Sequence, residues 1–312
     1  MKVLVAIDAK PSSRATLDAM LKMQWQTGTE INLVTVLDKE ANQSEDNAEL
    51  STTEAIAEEL HNRLKQCKVA YFVRRGEPKE ELLSLCENFQ TDLMVVGSNK
   101  ESTMERLFLG SVTQSLVAAA PCPVLVAKTP CFLARMQTPS YKTVILPIDD
   151  SVYSQVAAEW LTNFKWNDSK LILLAVVEDD TDFHQVEVSL DNRAAALHGH
   201  FQPHNIQMQI VKGDPRQVIV DQARKHYADM IVMGSHGRKG FKRMILGSVS
   251  QVVSQEAPCA VSIVRGIMDE DRSLKKTASF DKVKLMEKAE YLAMTNKDSN
   301  DMSSVHSMPA GF

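Results

Sequence analysis

The feature that most constrains this chain is that it contains the same pattern twice. "RRGEPKEELLSLCENFQTDLMVVGS", Arg74 to Ser98, lies over "VKGDPRQVIVDQARKHYADMIVMGS", Val211 to Ser235, at a constant offset of 137 residues. The offset pairs Gly76 with Gly213, Pro78 with Pro215, Asp92 with Asp229 and Gly97 with Gly234, and it carries Leu109 to Lys128 onto Leu246 to Arg265 without a gap. Upstream, "VLVAID" (Val3 to Asp8) matches "VILPID" (Val144 to Asp149) at offset 141, so the first copy holds four more residues between Asp8 and Gly76. They are expected in the polar stretch Lys39 to Thr53, because an exposed loop tolerates insertion best. A chain that repeats at this period builds one unit twice.

Within each copy, short β-branched runs alternate with amphipathic stretches of helical period. The runs predict strands at Val3–Ile7, Ile31–Leu37, Val69–Val73, Leu93–Val96 and Val124–Ala127, then at Val144–Ile148, Leu171–Val177, Ile206–Val211, Met230–Met233 and Val261–Val264. In the second copy helices are expected near Ser151–Phe164, Asp182–His198, Pro215–His226 and Ser248–Glu256; Pro78 and Pro215 suit a first helical turn, where the missing N–H costs nothing. Alternating strand and helix at this spacing implies an α/β fold with parallel sheets and right-handed crossovers. The division expected is repeat 1 at 1–128, a linker at 129–141 ("TPCFLARMQTPSY"), repeat 2 at 142–265 and a polar tail at 266–312, either mostly disordered or with one short helix, for which Lys282–Met294 is apolar enough.

A length of 312 residues suits two such domains. The net charge of −5 gives no global attraction to nucleic acid or acidic membranes, so neither is an expected partner and any basic site must be local. Five cysteines without a CxxC pair fit a reducing compartment, and the apolar run before Asp8 is too short for a signal peptide or a membrane span. A cytoplasmic protein is expected.

One local basic site stands out in "IVMGSHGRKGFKRMILGSVSQVV", Ile231 to Val253. A strand ends at Gly234, a second glycine follows at Gly237, and Arg238, Lys239, Lys242 and Arg243 precede Gly247-Ser248, which opens a helix. In a parallel sheet such strand ends feed helix N-termini at the edge where ligands settle. Glycines there admit close approach, and unpaired amides with a partial positive charge favour an anion. Hydroxyls at Ser248 and Ser250 are expected to add donors. The combination reads as a phosphate cradle; neither a P-loop nor a dinucleotide fingerprint is present.

Gly234-x2-Gly237-x9-Gly247-Ser248 resembles the ATP-binding signature of the universal stress protein family. The first strand ending in Asp, the Gly-Asp/Glu-Pro before the third helix and the Ala-Pro-Cys before the last strand resemble that family twice over, across about 1–128 and 142–265. The resemblance implies two tandem open parallel five-stranded sheets in order 3-2-1-4-5, helices on both faces, joined through their last strands as an internal pseudo-dimer. It implies ATP, with or without Mg²⁺, in repeat 2. Asp149 would meet the ribose and Val176 the adenine, while Gly234, Gly237, Gly247, Ser248 and Ser250 would hold the triphosphate, with Arg238 and Val249 beside them; His236 lies inside the cradle, where a phosphate contact, a proton switch and a plain loop position all stay open. No catalytic residue and no metal ligand is assigned.

Repeat 1 departs from that signature. Asp8, Val36, Gly97, Gly110, Ser111 and Thr113 stand in place as a weaker second site, but Lys100 replaces the second glycine. Between Gly97 and Gly110 the charges of Lys100, Glu101, Glu105 and Arg106 cancel, against four cations and no acid in repeat 2. Repeat 2 is therefore expected to bind ATP, and repeat 1 weakly or not at all. The functional expectation is a cytoplasmic stress-response protein acting as a nucleotide-dependent binding or regulatory module, with adenine nucleotide, a second copy of the chain and an unidentified protein as candidate partners. A slow ATPase or autophosphorylating protein, and a nucleotide-free scaffold or chaperone, are the competing classes. His198, His200 and His204 lack an acidic or thiol partner at fixed spacing and read as a solvated turn.

Overall fold

The computed structural model describes residues 1–10, 12–40, 42–98, 109–129, 138–166, 168–177, 183–237, 246–265 and 305–307. Lys100, the basic residues 238–243 including Arg238, and the expected tail helix at 282–294 lie outside these.

Repeat 1 contributes strands β1 (Lys2–Ile7), β2 (Glu30–Leu37), β3 (Lys68–Arg75), β4 (Leu93–Gly97) and β5 (Val124–Ala127), with helices α1 (Ser12–Lys22), α2 (Gln43–Arg63), α3 (Pro78–Asn88) and α4 (Ser111–Ala119). Repeat 2 contributes β6 (Thr143–Ile148), β7 (Lys170–Val177), β8 (Ile206–Lys212), β9 (Met230–Gly234) and β10 (Ala260–Val264), with α5 (Val152–Leu161), α6 (Phe183–Leu197), α7 (Pro215–Lys225) and α8 (Ser248–Glu256). With a short further strand β11 (Val305–Ser307) at one edge, the strands form one sheet in the order β11-β3-β2-β1-β4-β5-β10-β9-β6-β7-β8, so each repeat has the order 3-2-1-4-5. All pairings within a repeat are parallel. The repeats meet where β5 and β10 run antiparallel, with Leu125 opposite Ser262.

Local chemistry explains these elements. β9, "MIVMG", lies between β10 and β6 and is buried throughout, whereas the edge strand β8, "IQMQIVK", is only partly covered. Glu77 and Asp214 cap α3 and α7 from the residue before Pro78 and Pro215. The matched aspartates do the same work twice: Asp92 accepts the Lys2 amide at 2.7 Å, and Asp229 accepts the Lys142 and Thr143 amides at 2.8 Å each. Trp25 and Trp166 also match, their indole N–H groups donating to Met20 and Leu161 carbonyls at 2.7 and 2.8 Å.

Side chains alternate across the sheet into two cores. One receives Val3, Val5 and Ile7 with α1, α2, α5 and α6, and includes an aromatic chain running Trp25, Phe164, Trp166, Phe201. The other receives Leu4 with α3, α4, α7 and α8. Both cores contain residues of both repeats, so the two units are packed together on each face of the sheet.

One expectation changes. The additional residues of repeat 1 do not sit in an exposed loop at Lys39 to Thr53. Asn42 forms a capping box with Glu45 and starts a helix at Gln43, and α2 has 21 residues against 15 in α6. The tail also supplies a strand that the sequence does not announce: β11 (Val305–Ser307) pairs antiparallel with β3, His306 opposite Tyr71.

Candidate functional site

β6 is the strand at which repeat 2 reverses its order, with β7 on one side and β9 on the other. Ile145 pairs with Ile231, so three residues further on Ile148 and Gly234 leave the sheet side by side, and Asp149 and Ser235 open the crevice between them. The amide of Gly247 donates to the Ser235 carbonyl at 2.8 Å and brings the start of α8 against this strand end. Gly247 is the N-cap residue, with φ −69° and ψ 149° and no side-chain cap. The ladder of α8 begins with the Gln251 amide on the Gly247 carbonyl at 2.9 Å, so the amides of Ser248, Val249 and Ser250 precede it. Ser248 is exposed, and Val249 is half-buried against the α7–α8 core.

The glycines are explained mainly by contacts within the protein. A Cβ at residue 234 would lie 2.7 Å from the backbone of Tyr153 in α5, so Gly234 is where that helix presses onto the strand end rather than a place left open for a ligand. A Cβ at residue 237 would lie 2.9 Å from Oδ2 of Asp149, and one at residue 247 would lie 3.1 Å from the Ser235 carbonyl oxygen. Gly237 thus lets the loop fold over the Asp149 carboxylate.

The other oxygen of Asp149 organises the start of α5. Its Oδ1 accepts the Ser151 amide at 3.1 Å and the Ser151 hydroxyl at 2.5 Å, and Ser151 in turn caps the helix through the Ser154 amide at 3.1 Å. Asp149 supports the cap and is not itself the capping residue. Asp150 accepts the Ser189 hydroxyl at 3.0 Å. Nδ1 of His236 is 3.0 Å from the Ser235 hydroxyl, and its ring tilts against Tyr153 with centroids 4.9 Å apart. Val176 is half-buried on the same sheet face as α8. One role changes: the Ser250 hydroxyl donates to the Gly234 carbonyl at 2.8 Å and is buried, so its proton ties helix to strand, leaving only the backbone amide for an anion.

Repeat 1 reproduces the frame. Thr113 donates to the Gly97 carbonyl at 2.8 Å, as Ser250 does to Gly234. Gly110 caps α4 without a side-chain bond, Ser111 is exposed, and Val36 is half-buried. Asp8 accepts the Ser13 hydroxyl at 2.8 Å and the Lys10 amide at 3.2 Å. Sequence reasoning missed Glu49. This α2 residue is half-buried beside the loop of Asp8, Ala9 and Lys10, and burial, reinforced by the Asp8 charge against a hydrogen bond from Ala9, raises its carboxyl above the ordinary value. Its signal was available in the helical spacing Asn42-x2-Glu45-x3-Glu49, once a helix rather than a loop is placed there. Repeat 1 therefore sets a second carboxyl beside the aspartate of its crevice. Among the described residues no cluster of three or more histidine, cysteine or acidic side chains forms a metal site, and no helix is long and apolar enough to cross a membrane.

The comparisons with known proteins agree with this architecture. The family model described as the universal stress protein family matches residues 1–128 and 140–265. A universal stress protein of Mycobacterium tuberculosis is 29% identical over 188 residues, which cover 56% of this chain and 62% of the relative. One from Mycolicibacterium smegmatis is 28% identical over 209 residues, covering 62% of this chain and 67% of the relative. The match thus spans less than two thirds of the tuberculosis relative's length. Among solved structures, a universal stress protein from Archaeoglobus fulgidus overlays 85% of this chain and 98% of its own at a TM-score of 0.61 and 21% identity, a likeness of fold. A Pseudomonas aeruginosa protein of unknown function overlays 90% and 97% at 0.59 and 16% identity, again a likeness of fold. With the family pattern matched along both repeats and the fold reproduced across nearly the whole described chain, this protein belongs to the universal stress protein family.

Proposed function

We propose that repeat 2 binds an adenine nucleotide, ATP with or without Mg²⁺, and that occupancy of the site lets the protein act in the cytoplasm as a nucleotide-dependent binding and regulatory module rather than by turnover. The observation that carries this reading is the uncapped start of α8 at Gly247, held by the Ser235 carbonyl directly beside the crevice that Asp149 faces. Three amides ahead of the helical ladder and the positive end of its dipole suit phosphate oxygens. The carboxylate of Asp149, already oriented by Ser151, suits a ribose hydroxyl. Repeat 1 offers the same helix start, but Glu49 and Asp8 place two carboxyls at its crevice, which favours binding in repeat 2. Isothermal titration of the full chain with ATP, ADP and AMP tests the proposal. The expected result is one strong site per chain, lost in Gly247→Glu and retained in Gly110→Glu. Two equal sites, or no heat of binding with and without magnesium, reject it. Phosphate release measured alongside separates a binder from a slow ATPase.

A further inference from the structure

Away from the cradle, the two repeats differ at a buried pair of thiols. Cys86, in the last turn of α3, and Cys122, in the bend before β5, bring their sulfurs within 3.4 Å, and the two residues are 1% and 3% exposed. In the duplicated frame their counterparts are Ala223 and Cys259, both also buried. The fold therefore requires a small side chain at each position but not two sulfurs. The pair lies one residue beneath the surface, since Glu87, Asn88 and Pro121 beside it are exposed. The hydrogen bond between the sulfurs holds the Cys86 thiol below its ordinary value and pushes the Cys122 thiol up. With the two sulfurs in contact, one can attack and its neighbour follow without rearrangement of the fold.

We propose that Cys86 and Cys122 are a reversible disulfide site, closed by a hydroperoxide and reopened by a dithiol. The Cys86 thiolate attacks the peroxide; the O–O bond breaks, an S–O bond forms, and the leaving alkoxide or hydroxide takes up a proton. The Cys122 sulfur then attacks the Cys86 sulfur; the S–O bond breaks, the S–S bond forms, and the departing hydroxide takes the Cys122 proton as water. Two thiols lose two electrons and one hydroperoxide is reduced. The sulfurs must close from 3.4 Å to about 2.05 Å, a small movement of a helix end towards a bend. The bond would span 36 positions and enclose β4 and α4, stapling the segment that carries Gly97 and Gly110 and fixing the entry to β5, the strand that meets repeat 2.

The full chain is treated with hydrogen peroxide, its remaining thiols are alkylated in denaturant, and the digest is mapped by mass spectrometry beside thermal melts before and after dithiothreitol. The expected product is a Cys86–Cys122 linked peptide with Cys259 alkylated, and a melting temperature raised by several degrees that falls back on reduction. Cys86→Ala, which copies the residue repeat 2 already tolerates, must abolish both changes. Ala223→Cys should give a second bridge, to Cys259, because it recreates the pair in the matching frame. Both thiols still alkylated after oxidation, or a bridge through Cys67, Cys131 or Cys259 in the unaltered chain, overturns the assignment.

Discussion

Lys128 and Arg265 occupy matching positions just beyond β5 and β10, and each reaches across the junction to close the last helix of the other repeat. The Lys128 ammonium donates to the Gln255 and Ala257 carbonyls at 3.2 and 2.9 Å, at the end of α8. The Arg265 guanidinium donates to the Val117 carbonyl at 2.9 Å and to that of Ala118, at the end of α4. A cation at a helix C-terminus satisfies carbonyls that have no helical partner and meets the negative end of the dipole. The antiparallel β5–β10 ladder sets this reciprocity, since it turns the end of each strand towards the other repeat.

Replacing either cation with methionine keeps the aliphatic bulk and leaves buried carbonyls without donors. Lys128→Met and Arg265→Met should each cost about 1 to 3 kcal/mol in urea denaturation. Each should also weaken the contact between the repeats rather than one repeat alone. A loss below about 0.5 kcal/mol for both would mean that the caps add nothing to the junction.

The strands and the glycine-serine helix starts were legible because they are local: β-branched runs mark buried strands, and Gly247-Ser248 marks a helix opening. What the glycines touch was not. Tyr153 and Asp149 are 81 and 88 positions away from Gly234 and Gly237 in the chain, and only the neighbouring of β6 and β9 brings them together. Nothing local shows that the Gly234 carbonyl lies over the Ser250 hydroxyl, so the sequence presents that hydroxyl as a ligand donor. The N-terminal half of α2 reads as loop because its sequence is polar and weakly patterned, although Asn42-x2-Glu45 is a capping box, and β11 is too short to carry a periodic signal. The cross-repeat caps are single cations whose meaning depends on the junction.

The two glycines should therefore fail differently. Neither sits at positive φ, so steric contact decides. In Gly234→Ala the new methyl meets the backbone of Tyr153 at 2.7 Å, which cannot move without shifting α5, and stability should fall by about 1 to 3 kcal/mol. In Gly237→Ala it meets, among the described residues, the Asp149 carboxylate at 2.9 Å, a side-chain end that can turn away. Stability should hold to within about 0.5 kcal/mol while ATP binding weakens about tenfold, roughly 1.4 kcal/mol. Denaturation and titration of both variants distinguish the roles; equal losses of stability would refute the distinction.

Glu49 makes a pH-dependent prediction. Its folded pKa is raised above the ordinary 4.5, so between these values the native state holds more of the proton than the unfolded chain, and stability falls as pH rises through that window. Above the window the half-buried carboxylate remains a penalty beside Asp8. Glu49→Gln should melt higher than the unaltered protein near neutral pH and converge with it below pH 4.5, where the carboxyl is protonated in both states. Thermal melts across that range check the sign, and an advantage that persists unchanged in acid would show that the effect is packing and not charge.

The helix starts allow the nucleotide site to be blocked without damaging the fold. Ser248 and Ser111 are the exposed first residues of α8 and α4, and a glutamate there meets the positive end of each dipole, worth about 0.3 to 1 kcal/mol in favour of folding. At Ser248 the same carboxylate would occupy the place proposed for phosphate oxygens. ATP at a hundred times its dissociation constant should add about 2.7 kcal/mol to the unaltered protein. Ser248→Glu should keep the nucleotide-free melting temperature, or raise it, and lose the ATP-dependent increment, whereas Ser111→Glu should keep both. Because neither substitution removes a packing contact, a lost increment cannot be ascribed to misfolding, and an increment lost in Ser111→Glu instead would move the site to repeat 1.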